Sequence, residues 1–138
     1  TVAAERLDAV RAALDRVVDG VRLPVLSLAG LGAFPQPRRA RVLWLGVAEG
    51  AAPLVELATA IDGGLTTVGF EPEGRPFTPH LTLGRVRAPR GGGDLRDAPA
   101  AGAGVTVGSW TAREVVLYES LLRPGGALHE PRAVWPLA

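Results

Sequence analysis

A chain of 138 residues with 47% hydrophobic and 21% charged residues has the size and balance of one ordinary globular domain, and no stretch is apolar for long enough to cross a bilayer as a helix. With no cysteine there is no disulfide framework and no thiolate metal site, and two histidines alone make a poor zinc site, so neither a metal nor another cofactor is expected. Fifteen basic residues, all arginine, against fourteen acidic ones leave a net charge of +1; the bulk charge therefore does not argue for long nucleic acid, and a cytoplasmic protein is expected.

The first segment predicts a helix. Leu7, Val10, Leu14, Val17 and Val18 recur at spacings of three and four, Asp19-Gly20 forms a stop, and the apolar stripe must face a sheet. Val25 to Ala29 and Arg41 to Val47 read as strands, joined by a turn-rich loop over Gly30 to Ala40. The second of these is nearly all apolar, as a central strand would be. Pro53 in a first turn, then Leu54, Leu57, Ala58 and Ile61 before Gly63-Gly64, predicts a second amphipathic helix that stops at the glycine pair.

A strand from His80 to about Arg87, ended by Pro89, follows a loop holding Phe70, Pro72, Gly74 and Pro76. Arg90 to Gly104, with Gly91-Gly92-Gly93, reads as a mobile surface loop with at most one helical turn, since it lacks the context of a phosphate-cradling loop. Val105–Trp110, Glu114–Leu122 and Ala133–Leu137 predict three more strands, with turns at Thr111-Ala112 and Pro124-Gly125-Gly126. Strands outnumber helices and several connections are short, which makes this an α+β chain with antiparallel pairing and a single domain over 1–138.

The chemistry concentrates at His80-Leu81-Thr82-Leu83. Alternation puts the His80 imidazole and the Thr82 hydroxyl on one face and both leucines on the other. An imidazole moves protons near neutral pH, and a hydroxyl beside it can donate to an anionic oxygen. Strict parity puts Arg85 on the leucine face, unless a kink or bulge at Gly84 turns it back toward His80 and Thr82. Arg38, Arg39 and Arg41 are loop-rim candidates for phosphate contact or a solvated charged rim. His129 reads as an edge-strand or surface residue, and Trp44 and Trp135, inside apolar runs, as core.

The run Arg75-Pro76-Phe77-Thr78-Pro79-His80-Leu81-Thr82-Leu83-Gly84-Arg85-Val86 resembles the second signature of the 2'-5' RNA ligase family, the RNA 2',3'-cyclic phosphodiesterases among the two-histidine (2H) phosphoesterases. Gly32 to Phe34 with Pro37 to Val47, and Leu117 to Ser120 with Gly126-Ala127 and Trp135-Pro136-Leu137, are similar to further stretches of that family. The resemblance implies a two-lobed fold with antiparallel sheets flanked by helices, each lobe offering one His-x-Thr/Ser motif. It also implies metal-independent hydrolysis of RNA 2',3'-cyclic phosphate ends to 2'-phosphomonoesters, with 2'-5' ligation as the reverse-type activity. His80 would be one acid/base residue, Thr82 a phosphate donor, and Arg85 either a substrate phosphate contact or a structural ion-pair partner.

The family's first His-x-Thr motif lies on a strand ahead of its first helix, and this sequence has no second His-x-Thr/Ser. The resemblance therefore implies a chain shortened ahead of Thr1, lacking N-terminal strands, with a dimer or a swapped strand as ways to cover the edges. The alternative expectation is a catalytically inactive RNA- or nucleotide-binding remnant.

Overall fold

The computed structural model describes residues 2–87 and 93–138. In chain order the elements are α1 (Ala4–Val18), β1 (Val25–Phe34), a 3-10 turn (Pro37–Arg39), β2 (Val42–Val47), α2 (Ala51–Thr67), β3 (His80–Arg85), α3 (Ala98–Ala101), β4 (Thr106–Thr111), β5 (Glu114–Arg123) and β6 (Gly126–Pro136). They divide between two compact units, one formed by Thr1–Leu23, Glu56–Pro76 and Ala112–Ala138, the other by Pro24–Val55 and Phe77–Thr111. Among the described residues all strand pairing is antiparallel, so the α+β class expected from the sequence is what is observed.

In the first unit, α1 buries Val10, Leu14 and Val18 against Trp135 of β6, with Val115, Leu117 and Ala133 packed around them. The expected stripe thus does face strands, and each such aliphatic side chain contributes about 1.5–3 kcal/mol on burial. Glu5 in the first turn and Arg16 in the last complement the helix dipole. Asp19-Gly20 ends the helix as expected, with Gly20 in the left-handed region at φ 70°.

The second helix corrects the expectation at its end. It runs through Gly63-Gly64 to Thr67. A Cβ on Gly64 would stand 2.8 Å from the Val17 Cγ2 of α1, so this glycine serves close helix approach rather than termination. The true stop is Gly69, at φ 89°: its N–H bonds the Thr66 carbonyl and that of Phe70 bonds Leu65, closing the helix end in a Schellman pattern. The Arg6 guanidinium lies 4.2 Å from the centre of the Phe70 ring and donates to the Val68 carbonyl, holding that end against α1.

β5 and β6 form a hairpin turning at Pro124-Gly125, and β6 begins at Gly126 rather than at Ala133. The distal arm carries His129, Glu130 and Arg132 and so lacks an alternating apolar signal. Its ladder and the ion pairs of Arg132 with Glu119 and Glu130 hold it as strand nonetheless.

The second unit is a four-stranded sheet in the order β3-β2-β1-β4, with the apolar β2 inside as expected. The loop expected from Gly30 is instead strand as far as Phe34, followed by the 3-10 turn. Gly30, at φ 80°, sits where the β1–β2 register slips between Leu28 and Leu31, so a bulge absorbs it without ending the strand. The strand expected to reach Arg87 ends at Arg85. Pro89, expected to end it, and Gly91-Gly92 of the expected mobile loop lie outside the described residues; farther on, α3 is the one short helical turn anticipated there. Among the described residues no helix is long and apolar enough to cross a membrane.

Candidate active site

The site face of the sheet follows from its register. His80 stands opposite Gly46 and Thr82 opposite Trp44, whereas Gly84 stands opposite Leu43 and Arg85 opposite Val42. Between Leu43 and Trp44 the ladder slips, because Leu83 is an extra residue on β3. Val42, Trp44 and Gly46 share one face of β2. The bulge thus sets Arg85 on the same face as His80 and Thr82, where uninterrupted alternation would have turned it away. All three are exposed, and Arg85 makes no ion pair among the described residues.

The His80 ring is oriented by its own chain. Its Nδ1 lies 2.7 Å from the Thr78 carbonyl, which can only accept, so Nδ1 carries the proton and Nε2 is the nitrogen left free to exchange one. Pro79 favours the extended backbone at Thr78 that this contact accompanies. The ring also meets Phe34 edge-on at 4.9 Å and lies 6.1 Å from Trp44. Opposite it, Gly46 has no side chain to crowd the imidazole.

Trp44 and Trp135, both expected as core, differ. Trp135 is buried and its Nε1 donates to Asp15 Oδ1 at 2.6 Å. Trp44 is half-buried on the site face, with its Nε1 buried and unpartnered. A Cβ on Gly32, its cross-strand partner, would overlap the indole carbons, so the indole rests over the glycine backbone. Phe34 flanks it at 5.1 Å, tilted by 34°. Sequence reasoning did not place Phe34, Trp44 or Thr78 at the site. The usable signal was a Gly and a Trp on adjacent strands, which becomes informative only once the register is known.

The remaining candidates lie on other elements. His129 is on the β5–β6 hairpin, in the other unit, exposed, with Nδ1 hydrogen-bonded to the Ser120 hydroxyl at 2.9 Å and the Tyr118 ring 6.4 Å away. Arg38 and Arg39 occupy the 3-10 turn, and Arg41 precedes β2. Arg38 lies near Asp94, whose carboxyl is held below its ordinary range chiefly by the side-chain hydrogen bond from Arg96, then by the Arg96 backbone N–H. Among the described residues no group of three or more His, Asp or Glu side chains gathers as metal ligands would.

Charge is divided between the units although the chain is nearly neutral. The unit of Pro24–Val55 and Phe77–Thr111 holds seven arginines and three carboxylates, a net +4; the other holds eight and eleven, a net −3. The face bearing His80 therefore belongs to a basic body, which favours an anionic ligand.

Residues 45–129 match the family described as LigT like phosphoesterase. The RNA 2',3'-cyclic phosphodiesterase of Methanothermobacter thermautotrophicus is 39% identical over 112 residues, 81% of this chain and 60% of that protein. That of Aeropyrum pernix is 37% identical over 105 residues, 76% of this chain and 60% of that protein. Among solved structures, Escherichia coli LigT complexed with 3'-AMP is similar with a TM-score of 0.68 and 30% identity, over 99% of this chain and 71% of that one. A Thermus thermophilus protein gives a TM-score of 0.74 at 25% identity, over 99% and 73%. The chain spans about 60% of the length of the curated relatives it matches. On its matched residues and its fold, the chain belongs to the LigT-like phosphoesterase family.

Proposed function

We propose that this chain carries one acid/base half-site of an RNA 2',3'-cyclic phosphodiesterase, which opens the cyclic phosphate to a 2'-phosphomonoester. The observation that carries this reading is the row His80, Thr82 and Arg85 on one face of β3, with the imidazole Nδ1 engaged by Thr78 and Nε2 left open. The names of the relatives and the net +4 charge of this unit support an anionic RNA end as the substrate.

In the reaction a water oxygen bonds to phosphorus while the bond from phosphorus to the 3' oxygen breaks. One proton leaves the attacking water and another reaches the departing 3' oxygen, on opposite sides of phosphorus. His80 Nε2 is placed to serve one of these transfers. The Thr82 hydroxyl donates to a non-bridging oxygen, and the Arg85 guanidinium offers paired N–H donors to the same oxygens as their charge grows. These groups come from this chain's own residues and need no metal to act. The second proton-transfer group is assigned to the family's first His-x-Thr motif, which has no counterpart in this sequence.

A second reading is a nucleotide-binding half-site without turnover. Incubation with a nucleoside 2',3'-cyclic phosphate, followed by identification of the monophosphate isomer, separates the two. Turnover to the 2' isomer that falls by roughly 10²–10⁴-fold in His80→Ala supports the hydrolytic reading. Binding without turnover supports the second, and equal turnover in His80→Ala removes His80 from the chemistry.

A further inference from the structure

We infer that the RNA leading up to the cyclic end leaves this site past Arg85, and that Arg87 holds the next phosphate, the one on the 5' oxygen of the terminal nucleotide. The inference rests on the reading of His80, Thr82 and Arg85 as the site of the reacting phosphate and adds a direction to it. The Val86 N–H bonds the Arg41 carbonyl at 2.9 Å, so the chain stays paired with the segment leading into β2 for one residue after β3 ends. A Cβ on Gly93 would stand 2.7 Å from the Val86 Cγ1, so the Val86 side chain is turned to Gly93. Alternation then returns Arg87, which is exposed, to the face of Arg85, about 6.6 Å farther along. Two guanidinia so placed can each take one of two neighbouring phosphates.

Charge along the strands gives the same direction. Arg38, Arg39, Arg41, Arg85, Arg87 and Arg96 all lie at the end of the sheet where Arg85 meets Val42: β1 ends there, the 3-10 turn crosses to β2, and the Leu95 N–H bonds the Pro37 carbonyl at 2.8 Å. Asp94 is paired with Arg96 at 2.7 Å, and among the described residues Arg39, Arg41, Arg85 and Arg87 make no ion pair. The opposite end, past His80 and Gly46, carries Glu49 and no arginine of this unit. A polyanion anchored at Thr82 is therefore drawn toward Arg85 and Arg87 and away from Glu49.

The test compares two ligands on the intact chain: adenosine 2'-monophosphate and adenosine 2',5'-bisphosphate, which differ only in the 5' phosphate. Titration calorimetry is expected to show the bisphosphate binding roughly 3- to 30-fold more tightly at low salt, a difference that shrinks as salt is raised. Arg87→Ala is expected to abolish the difference and Arg87→Lys to keep part of it. Arg123→Ala, on the β5–β6 hairpin in the other unit, is expected to leave it unchanged, which separates a local contact from a loss of net charge. In phosphorus spectra of the wild-type complex the 5' phosphate is expected to lose its second proton at lower pH than in the free ligand, since a guanidinium beside it favours the dianion. Equal affinity for the two ligands, a difference that survives in Arg87→Ala or responds more to Glu49→Gln, or binding of neither ligand overturns the inference. The failure of the hydrolytic reading is separate: a difference that disappears in Arg87→Ala, without turnover of the cyclic substrate, leaves the direction standing.

Discussion

Arg85 lies on the same face of β3 as Thr82, three residues away, because the ladder slips at Leu83 between them. An odd separation along an unbroken strand would put the two on opposite faces. The bulge therefore sets a guanidinium in line with His80 and Thr82, where alternation alone would have continued the row with Gly84.

Replacing Arg85 by Ala is expected to lower kcat/KM for a 2',3'-cyclic nucleotide, or the affinity for a 2'-nucleotide, by roughly 10- to 150-fold, the loss of one charge-assisted hydrogen bond of about 1.5–3 kcal/mol. Arg85→Lys should recover only part, since an ammonium lacks the planar fork. Steady-state kinetics or calorimetry reads both, and an Arg85→Ala chain indistinguishable from wild type places the guanidinium outside the site.

Gly32→Ala puts a methyl group where the indole of Trp44 lies. The indole must tilt or the strands must part, at a cost of about 1–3 kcal/mol. Urea unfolding should show the lower midpoint together with changed fluorescence from the displaced Trp44. An unchanged midpoint would mean that the ring does not rest on that glycine.

Asp15→Ala removes the acceptor of the part-buried Trp135 indole N–H. Destabilisation of about 1–3 kcal/mol is expected, with Asp15→Asn milder because its carbonyl still accepts. A double-mutant cycle with Trp135→Phe assigns the effect, since the two changes should cost less together than their sum; strict additivity would sink the assignment.

The Asp94 carboxyl is held low by Arg96, so its favourable interaction is present above the ordinary carboxylate range and is lost as pH falls through the depressed folded value. In a carbon-detected titration Asp94 should protonate at lower pH than an ordinary aspartate. Arg96→Ala should move that midpoint upward, and no movement would discount the pair.

What the sequence by itself determined was local and periodic. The 3.6-residue recurrence from Leu7 to Val18 and the Asp19-Gly20 stop are α1, the unbroken apolar run at Val42–Val47 is the inner strand, and the two-residue alternation at His80 and Thr82 places both on one face. Each is legible because neighbours in the chain set the backbone and the side-chain direction. Glycine misled the reading wherever its reason was a distant partner: Gly64 gives way to Val17, Gly32 lies under Trp44, and Gly30 is absorbed in a bulge, so none ends its element. Tertiary structure alone decided that Arg85 joins His80, that Trp44 faces the site while Trp135 fills a core, and that a nearly neutral chain is split into a basic and an acidic unit. Those outcomes depend on which residues meet across a ladder or fold into the same unit. Such meetings join segments far apart in sequence, and no local period encodes them.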